Sequence, residues 1–181
     1  IVPLTGENRT LVKYGLRTLN GGGRLGLARL AERINVPMGQ IRSDHVAFGI
    51  VPHLNAAGRM RDAETGVALL TGTNPATVSE AVDLLAEANQ ERRRVQEATF
   101  ELLGGAAEAL DRERLFLLLD GGDAHEGITG IVAGKLKDRF HKPTAIVMSV
   151  QASGRIASAM SRRRARTRAP TTAATSCPPA T

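Results

Sequence analysis

Three stretches of the chain hold the residue types that phosphate chemistry uses. The first is Pro52-His53-Leu54-Asn55-Ala56-Ala57-Gly58-Arg59-Met60. Two alanines and a glycine keep its backbone approachable, Asn55 can hydrogen-bond, and Arg59 can fork onto a phosphate. From composition alone the same run also reads as a helix C-cap carrying a surface arginine. The second is His125-Glu126-Gly127-Ile128-Thr129-Gly130, at the end of a Gly-rich loop spanning 121–130. Glycines at a helix start let backbone N–H groups face an anion, helped by the helix dipole. His125 can donate to a phosphate or serve as acid or base, and the competing reading is an ordinary loop histidine. The third is Arg92-Arg93-Arg94, which reads best as a solvated helix face whose field is blunted by Glu87, Glu91 and Glu97. His45, His53, His125 and His141 show no metal-ligand spacing, and no acidic cluster has the form of a two-metal site. Asp120 and Asp123 read as the ends of a strand and a turn.

The elements that must position these residues centre on one long helix over 75–111. Asn74 suits its N-cap and Pro75 its first position. Val78, Val82 and Leu85 recur at helical spacing at one end, and Leu102, Leu103, Ala106 and Leu110 at the other. The middle is polar, which suggests a strut between two packed bodies, roughly 55 Å long at ~1.5 Å per residue. Gly104-Gly105 costs about 2 kcal/mol relative to two alanines and is a point where the helix can kink or end.

Before the strut, helices are expected over 7–20 and 25–34. A third, capped by Ser43-Asp44, is broken by Pro52, and a short helix capped by Asp62 runs through Leu70. Residues 1–4 have the look of the end of a strand. After the strut, 114–120 is a continuous apolar run typical of a strand buried on both faces. A helix through Phe140 and a second strand over 144–148 complete a strand–helix–strand unit. Such a unit implies a parallel pair with a right-handed crossover, whose ligands sit beyond the carboxyl ends of the strands, here at 120–130.

Composition narrows the function classes. Apolar residues make up 42% of the 181 residues and aromatics 3%, with no Trp, so the core rests on Leu, Val, Ile and Ala. The single cysteine, Cys177, excludes an intrachain disulfide framework. No run of 18 apolar residues suggests a membrane helix, and charges throughout 1–20 argue against a signal peptide. A cytoplasmic protein with no membrane role is the expectation. The net charge of +6 belongs mainly to five arginines within 162–168, without which 19 bases face 18 acids. The Pro-, Thr- and Ala-rich tail over 162–181 has no periodicity and is expected to be disordered. It has the character of a foreign terminus, such as a shifted reading frame leaves.

Taken in order, these motifs resemble those of the RecJ family of single-stranded-DNA exonucleases, within the DHH phosphoesterase superfamily. Val2-Pro3-Leu4, Gly6-Glu7-Asn8-Arg9, Leu11-Val12 and Gly15-Leu16 are similar to the run after that family's fourth acidic motif. The stretch from Pro52 to Met60 is similar to its Pro-Arg-Leu-Asn-Ala-Ala-Gly-Arg-Met signature, with His53 where the family usually has arginine. Asn89 and Arg92 match an Asn-x-x-Arg pattern on its connecting helix. His125, Gly127 and Gly130, followed by Ile131-Val132-Ala133, look like the motif that opens its DHHA1 domain. The resemblance covers about residues 1–160.

It implies an α/β chain made of the end of a DHH domain (1–73), a connecting helix (74–111), part of a DHHA1 domain (112–161) and the basic tail (162–181). It implies metal-dependent hydrolysis of single-stranded DNA from the 5′ end, in repair and recombination, with Mn²⁺ or Mg²⁺. Asn55, Arg59, His53, His125, Gly127 and Gly130 become the nucleic-acid-binding residues. The family's metal ligands fall upstream of residue 1, so the chain reads as a fragment, inactive alone. Ala157-Ser158-Ala159-Met160-Ser161 is the nearest match to the family's Gly-Ser-Ala-Arg-Ser segment, with Met in the arginine's place. A partial sheet implies exposed apolar edges and marginal stability. Two other readings stand beside this one: a phosphodiesterase of the same superfamily acting on short oligonucleotides or cyclic dinucleotides, and a non-catalytic nucleic-acid-binding module.

Overall fold

The computed structural model describes residues 3–111, 114–148 and 158–161. The basic tail with Cys177 lies outside the described residues, as do Ile1 and Val2. Pro3 and Leu4 take no part in a strand.

The first helices follow the apolar periodicity: α1 is Gly6–Asn20 and α2 is Leu25–Arg33. Asn20 closes α1 by pairing its side-chain amide with both backbone groups of Ile41, at 2.8 Å each, and so ties the following loop back. The expected break at Pro52 does not occur. The helix α3 (Ser43–His45), a π-helical turn (Val46–Ile50) and α4 (Val51–Met60) run on without a gap. Proline lacks the N–H for the i→i−4 ladder, but the widened turn ahead of it has already left that ladder, so the helical path continues. The first cap also differs from expectation: Arg42, rather than Ser43 or Asp44, is the N-cap of α3. Asp62 accepts the Glu64 N–H at 2.9 Å, but the N-cap of α5 (Glu64–Thr71) is Ala63 rather than Asp62.

The long helix is continuous: α6 spans Pro75–Asp111, 37 residues, with the Asn74 side chain accepting the Ala76 N–H at 2.9 Å. It passes through Gly104-Gly105, which lie between Leu103 and Ala107, both packed into the second cluster. Gly104 is buried, and a Cβ on it would lie 3.3 Å from an Arg139 guanidinium nitrogen. Two hydrophobic clusters form along α6. Val78, Ala81, Val82 and Leu85 join the first, with Leu30, Ile50, Ala57 and Leu69. Leu103 and Ala107 join the second, with Leu117, Val132, Leu136 and Ile146. The polar middle of α6 is not bare, since α4 packs along the helix and Asn89 is only 3% exposed.

The second cluster is completed by β1 (Leu117–Asp120), α7 (Glu126–Phe140), β2 (Thr144–Val147) and β3 (Ser158–Ser161). Strand β1 pairs parallel to β2, Leu117 beside Thr144, as the strand–helix–strand order implies; β3 pairs antiparallel on the other side of β2. Strand β1 is not buried on both faces. Leu117 and Leu119 point into the cluster, whereas Leu118 is 55% and Leu115 91% exposed. Helix α7 supplies cover for one face of the sheet, and among the described residues no element covers the other.

Leu85 is fully buried in the first cluster, while Leu102 on the same helix is 72% exposed. Leu85→Ala is expected to destabilise the chain by about 2–5 kcal/mol, and Leu102→Ala by no more than about 0.5 kcal/mol. Urea unfolding followed by circular dichroism separates the two.

Candidate nucleic-acid interface

The site is built where α4, the middle of α6 and the start of α7 meet. Ala56 and Ala57 are buried, and their small side chains let α4 lie close along α6. Arg59, two residues on, reaches across to α7 and donates from Nη1 to the Gly127 carbonyl at 2.7 Å. Gly127 is glycine for a reason of space: a Cβ there would fall into the backbone carbonyl of Arg59. The Asn-Ala-Ala-Gly-Arg and His/Gly motifs, 68 residues apart, are therefore in direct contact.

The Gly-rich loop is shorter than the sequence suggests, because α7 begins at Glu126 and places Gly127 and Gly130 inside the helix. His125 is its N-cap. Its Nδ1 accepts the Gly127 N–H at 3.1 Å, which leaves the Nε2 side of the ring for a ligand. The Gly127 amide is thereby occupied, so it does not serve as a free anion donor. Gly130 is exposed, and a Cβ on it would meet nothing within 4 Å. Asn55 is exposed and makes no side-chain hydrogen bond among the described residues. Asp120 accepts the Gly122 N–H at 2.9 Å, closing the turn after β1 as expected.

His53 is half-buried between α6 and the π turn. Its Nδ1 lies 2.7 Å from the Gly49 carbonyl and its Nε2 lies 3.1 Å from the Asn89 amide nitrogen. Asn89 in turn accepts from Arg92 Nε at 3.2 Å, and Arg92 donates onward to Gln96 at 2.9 Å. Burial is the main cause that holds His53 below the ordinary histidine range; Arg93, Arg33 and Arg92 add to it, and the Gly49 carbonyl opposes it. Burial, then the like charges of Arg93 and Arg59, pull Arg92 below the usual arginine value, although a guanidinium stays charged in any such setting.

The arginine triplet is thus not a uniform solvated face. Arg94 is paired with Glu91 at 2.8 Å. The other two acids face elsewhere, Glu87 toward Arg61 at 3.9 Å and Glu97 toward Lys135 at 3.3 Å. Arg59, Arg92 and Arg93 have no carboxylate partner among the described residues. Asn89, Arg92 and Gln96 belong to this site, and their i, i+3, i+7 spacing on an otherwise polar helix was the signal for them. Beside them a groove of about 440 Å³ is lined by His45, Phe48, His53, Asn89 and Arg93. No group of three or more His, Cys, Asp or Glu side chains gathers to hold a metal among the described residues.

Comparison with known proteins gives this geometry a family setting. No protein-family model matches the chain. The single-stranded-DNA-specific exonuclease RecJ of Bacillus subtilis is 33% identical over 165 residues, covering 90% of this chain and 20% of that protein. RecJ of Salmonella typhimurium is 36% identical over 154 residues, covering 79% of this chain and 26% of that protein. The crystal structure of Thermus thermophilus RecJ with Mg²⁺ superposes on 82% of this chain and 23% of its own, at a TM-score of 0.75 and 32% identity. Over this stretch the chain is homologous to RecJ. It spans about a fifth to a quarter of the length of these curated relatives. A manganese-bound RecJ structure matches at a TM-score of 0.72, 37% of its chain being covered. The fold is that of the corresponding RecJ segment, mostly helical with a small sheet whose first two strands are parallel.

The two motif glycines make opposite demands. Gly127→Ala is expected to force α4 and α7 apart and cost about 1–3 kcal/mol. Gly130→Ala, on an open helix surface, is expected to be neutral or to stabilise by up to about 1 kcal/mol. Thermal unfolding of the two variants checks this.

Proposed function

We propose that this chain is the strand-gripping portion of a 5′→3′ single-stranded-DNA exonuclease that works in cytoplasmic DNA repair and recombination. In this reading, residues 1–73 are the end of a DHH domain, 74–111 the connecting helix and 112–161 part of a DHHA1 domain. The observation that carries it is the set of guanidiniums Arg59, Arg92 and Arg93: Arg92 lies in the field of the other two, and none of the three has a carboxylate partner among the described residues. Clustered like charge held by neutral acceptors is stabilised by an external anion, and a phosphate backbone supplies several. Arg59 uses one of its five N–H donors on Gly127, which leaves the rest of the fork for a phosphate. Asn55, one helical turn before Arg59 on α4, and His125, the N-cap of α7, add further polar groups. The homology to RecJ supports single-stranded DNA as the ligand over a folded nucleic acid or a small metabolite.

Mn²⁺ or Mg²⁺ is the cofactor proposed for the whole exonuclease, after the ions in the solved relatives. The described residues do not fit such a site, because their acids are dispersed or engaged in ion pairs. The part assigned to these residues is therefore binding. They offer phosphate contacts and no base-edge readout, so the grip is expected to be sequence-independent and steeply salt-dependent.

Two measurements test the reading. With 5′-labelled single-stranded DNA and Mn²⁺, a protein that carries a RecJ-type metal-binding domain ahead of this chain is expected to degrade the strand, and this chain alone is not. In oligo-dT binding, Arg59→Ala, Arg92→Ala and Arg93→Ala are each expected to lower the salt slope by ~0.7, one single-strand phosphate contact. Cleavage by this chain alone overturns the binding-only role, and a triple variant with unchanged affinity and salt dependence overturns the grip.

A further inference from the structure

His53 stands at one end of a relay whose members admit a single proton arrangement. The Gly49 carbonyl can only accept, so His53 Nδ1, 2.7 Å away, must donate. A neutral imidazole with its proton on Nδ1 has a lone pair on Nε2, which accepts from the Asn89 amide nitrogen at 3.1 Å. Asn89 then has only its oxygen to turn toward Arg92. A guanidinium can only donate, and Arg92 Nε does so at 3.2 Å. An acceptor fixes one end and a donor the other, with two ambivalent groups between them. Asn89 is 3% exposed, so water has little access to repair a mismatch.

We propose that His53 is a positioning residue which, through Asn89, holds the Arg92 guanidinium in place for a DNA phosphate. This rests on the phosphate-grip reading of the same site. Protonation of His53 is incompatible with the relay. An imidazolium Nε2 is a donor, so Asn89 must turn its oxygen to the ring. Its NH₂ group then faces Arg92 Nε, donor against donor. The charged groups around the ring act in the same direction. Arg92 and Arg93 from α6 and Arg33 from α2 each disfavour a charge on it. Across the groove lie His45 and Asp44, and the Asp44 carboxylate is held by two hydrogen bonds from Arg42, at 2.8 and 3.1 Å.

The sign for pH follows from this environment. With the folded pKa below the unfolded value, the stability contributed by neutral His53 is complete above about pH 6.5. It is lost as pH falls through the lower folded value. Gln at position 53 keeps an acceptor for Asn89 and cannot titrate.

The test is a double-mutant cycle read by anisotropy of a labelled dT oligonucleotide at pH 7.5, with ¹⁵N-histidine NMR alongside. Arg92→Ala is expected to weaken binding about tenfold, the size of one charge-assisted hydrogen bond. His53→Ala is expected to cost about the same, and the double variant no more than either alone. His53→Gln is expected to retain wild-type affinity and to flatten the acid limb of the stability profile. Independent, multiplying losses in the double variant overturn the proposal, as does an Nε2–H tautomer for His53 in the wild-type spectrum. If Arg92→Ala leaves binding unchanged, the phosphate grip is what fails. The tautomer and the stability profile of His53→Gln then still decide the relay.

Discussion

The rigid helix α6 takes part in both hydrophobic clusters, and this fixes the spacing of everything polar between them. Its apolar residues are anchored at Val78, Ala81, Val82 and Leu85 on one side and at Leu103 and Ala107 on the other. The intervening turns cannot slide or rotate without disturbing both clusters. Asn89, Arg92 and Gln96 are therefore presented on one face at positions set by helical geometry. Helix α4 closes over that face because its alanines permit close approach, and the contact of Arg59 with Gly127 brings α7 to the same place.

The choice of acceptors explains how a charge cluster survives at this junction. A carboxylate beside Arg92 would neutralise it and leave nothing for an anion. Amide and carbonyl oxygens orient a guanidinium and satisfy its donors while its charge stays available. Asn89, Gln96 and the Gly127 carbonyl all serve in this way. The cost is like-charge repulsion on Arg92 from Arg93 and Arg59, which the hydrogen bonds of Arg92 to Asn89 and Gln96 offset. Elsewhere along α6 and α7 the acids are used conventionally, as in the exposed Lys135–Glu97 pair and the stacking of Lys135 over Phe100 at 5.2 Å. Such exposed pairs contribute little to stability, which leaves the two apolar clusters as the main support.

The helices of the first cluster, the unbroken stretch of α6 and the parallel pairing of β1 with β2 were all legible in the apolar spacing and punctuation of the chain. The residue types of the candidate site were legible too, although the contact of Arg59 with Gly127 across 68 residues was not. Three further features escaped a local reading. Pro52 looks like a helix breaker by local rules, and only the π turn before it lets the helical path continue. The run from Leu115 to Leu119 looks buried on both faces, but burial depends on what covers each face, and one face of β1 is open among the described residues. The arginine triplet looks uniform because sequence distance does not reveal which acid each arginine meets.

Sequence alone determined the periodicities, the Asn74 cap of α6 and the residue types of the site, since these depend on neighbours within a few positions along the chain. Tertiary structure decided which cations are neutralised and which are free, because Glu87 and Glu97 turn to Arg61 and Lys135 rather than to the triplet. It also decided that Gly127 is a packing glycine rather than a phosphate loop glycine, since the Arg59 backbone that excludes a side chain there lies on another helix. The partner of His53 Nε2 belongs to the same class: it is the Asn89 amide, 36 residues away on α6. In each case the deciding contact joins elements distant in sequence, which no local pattern encodes.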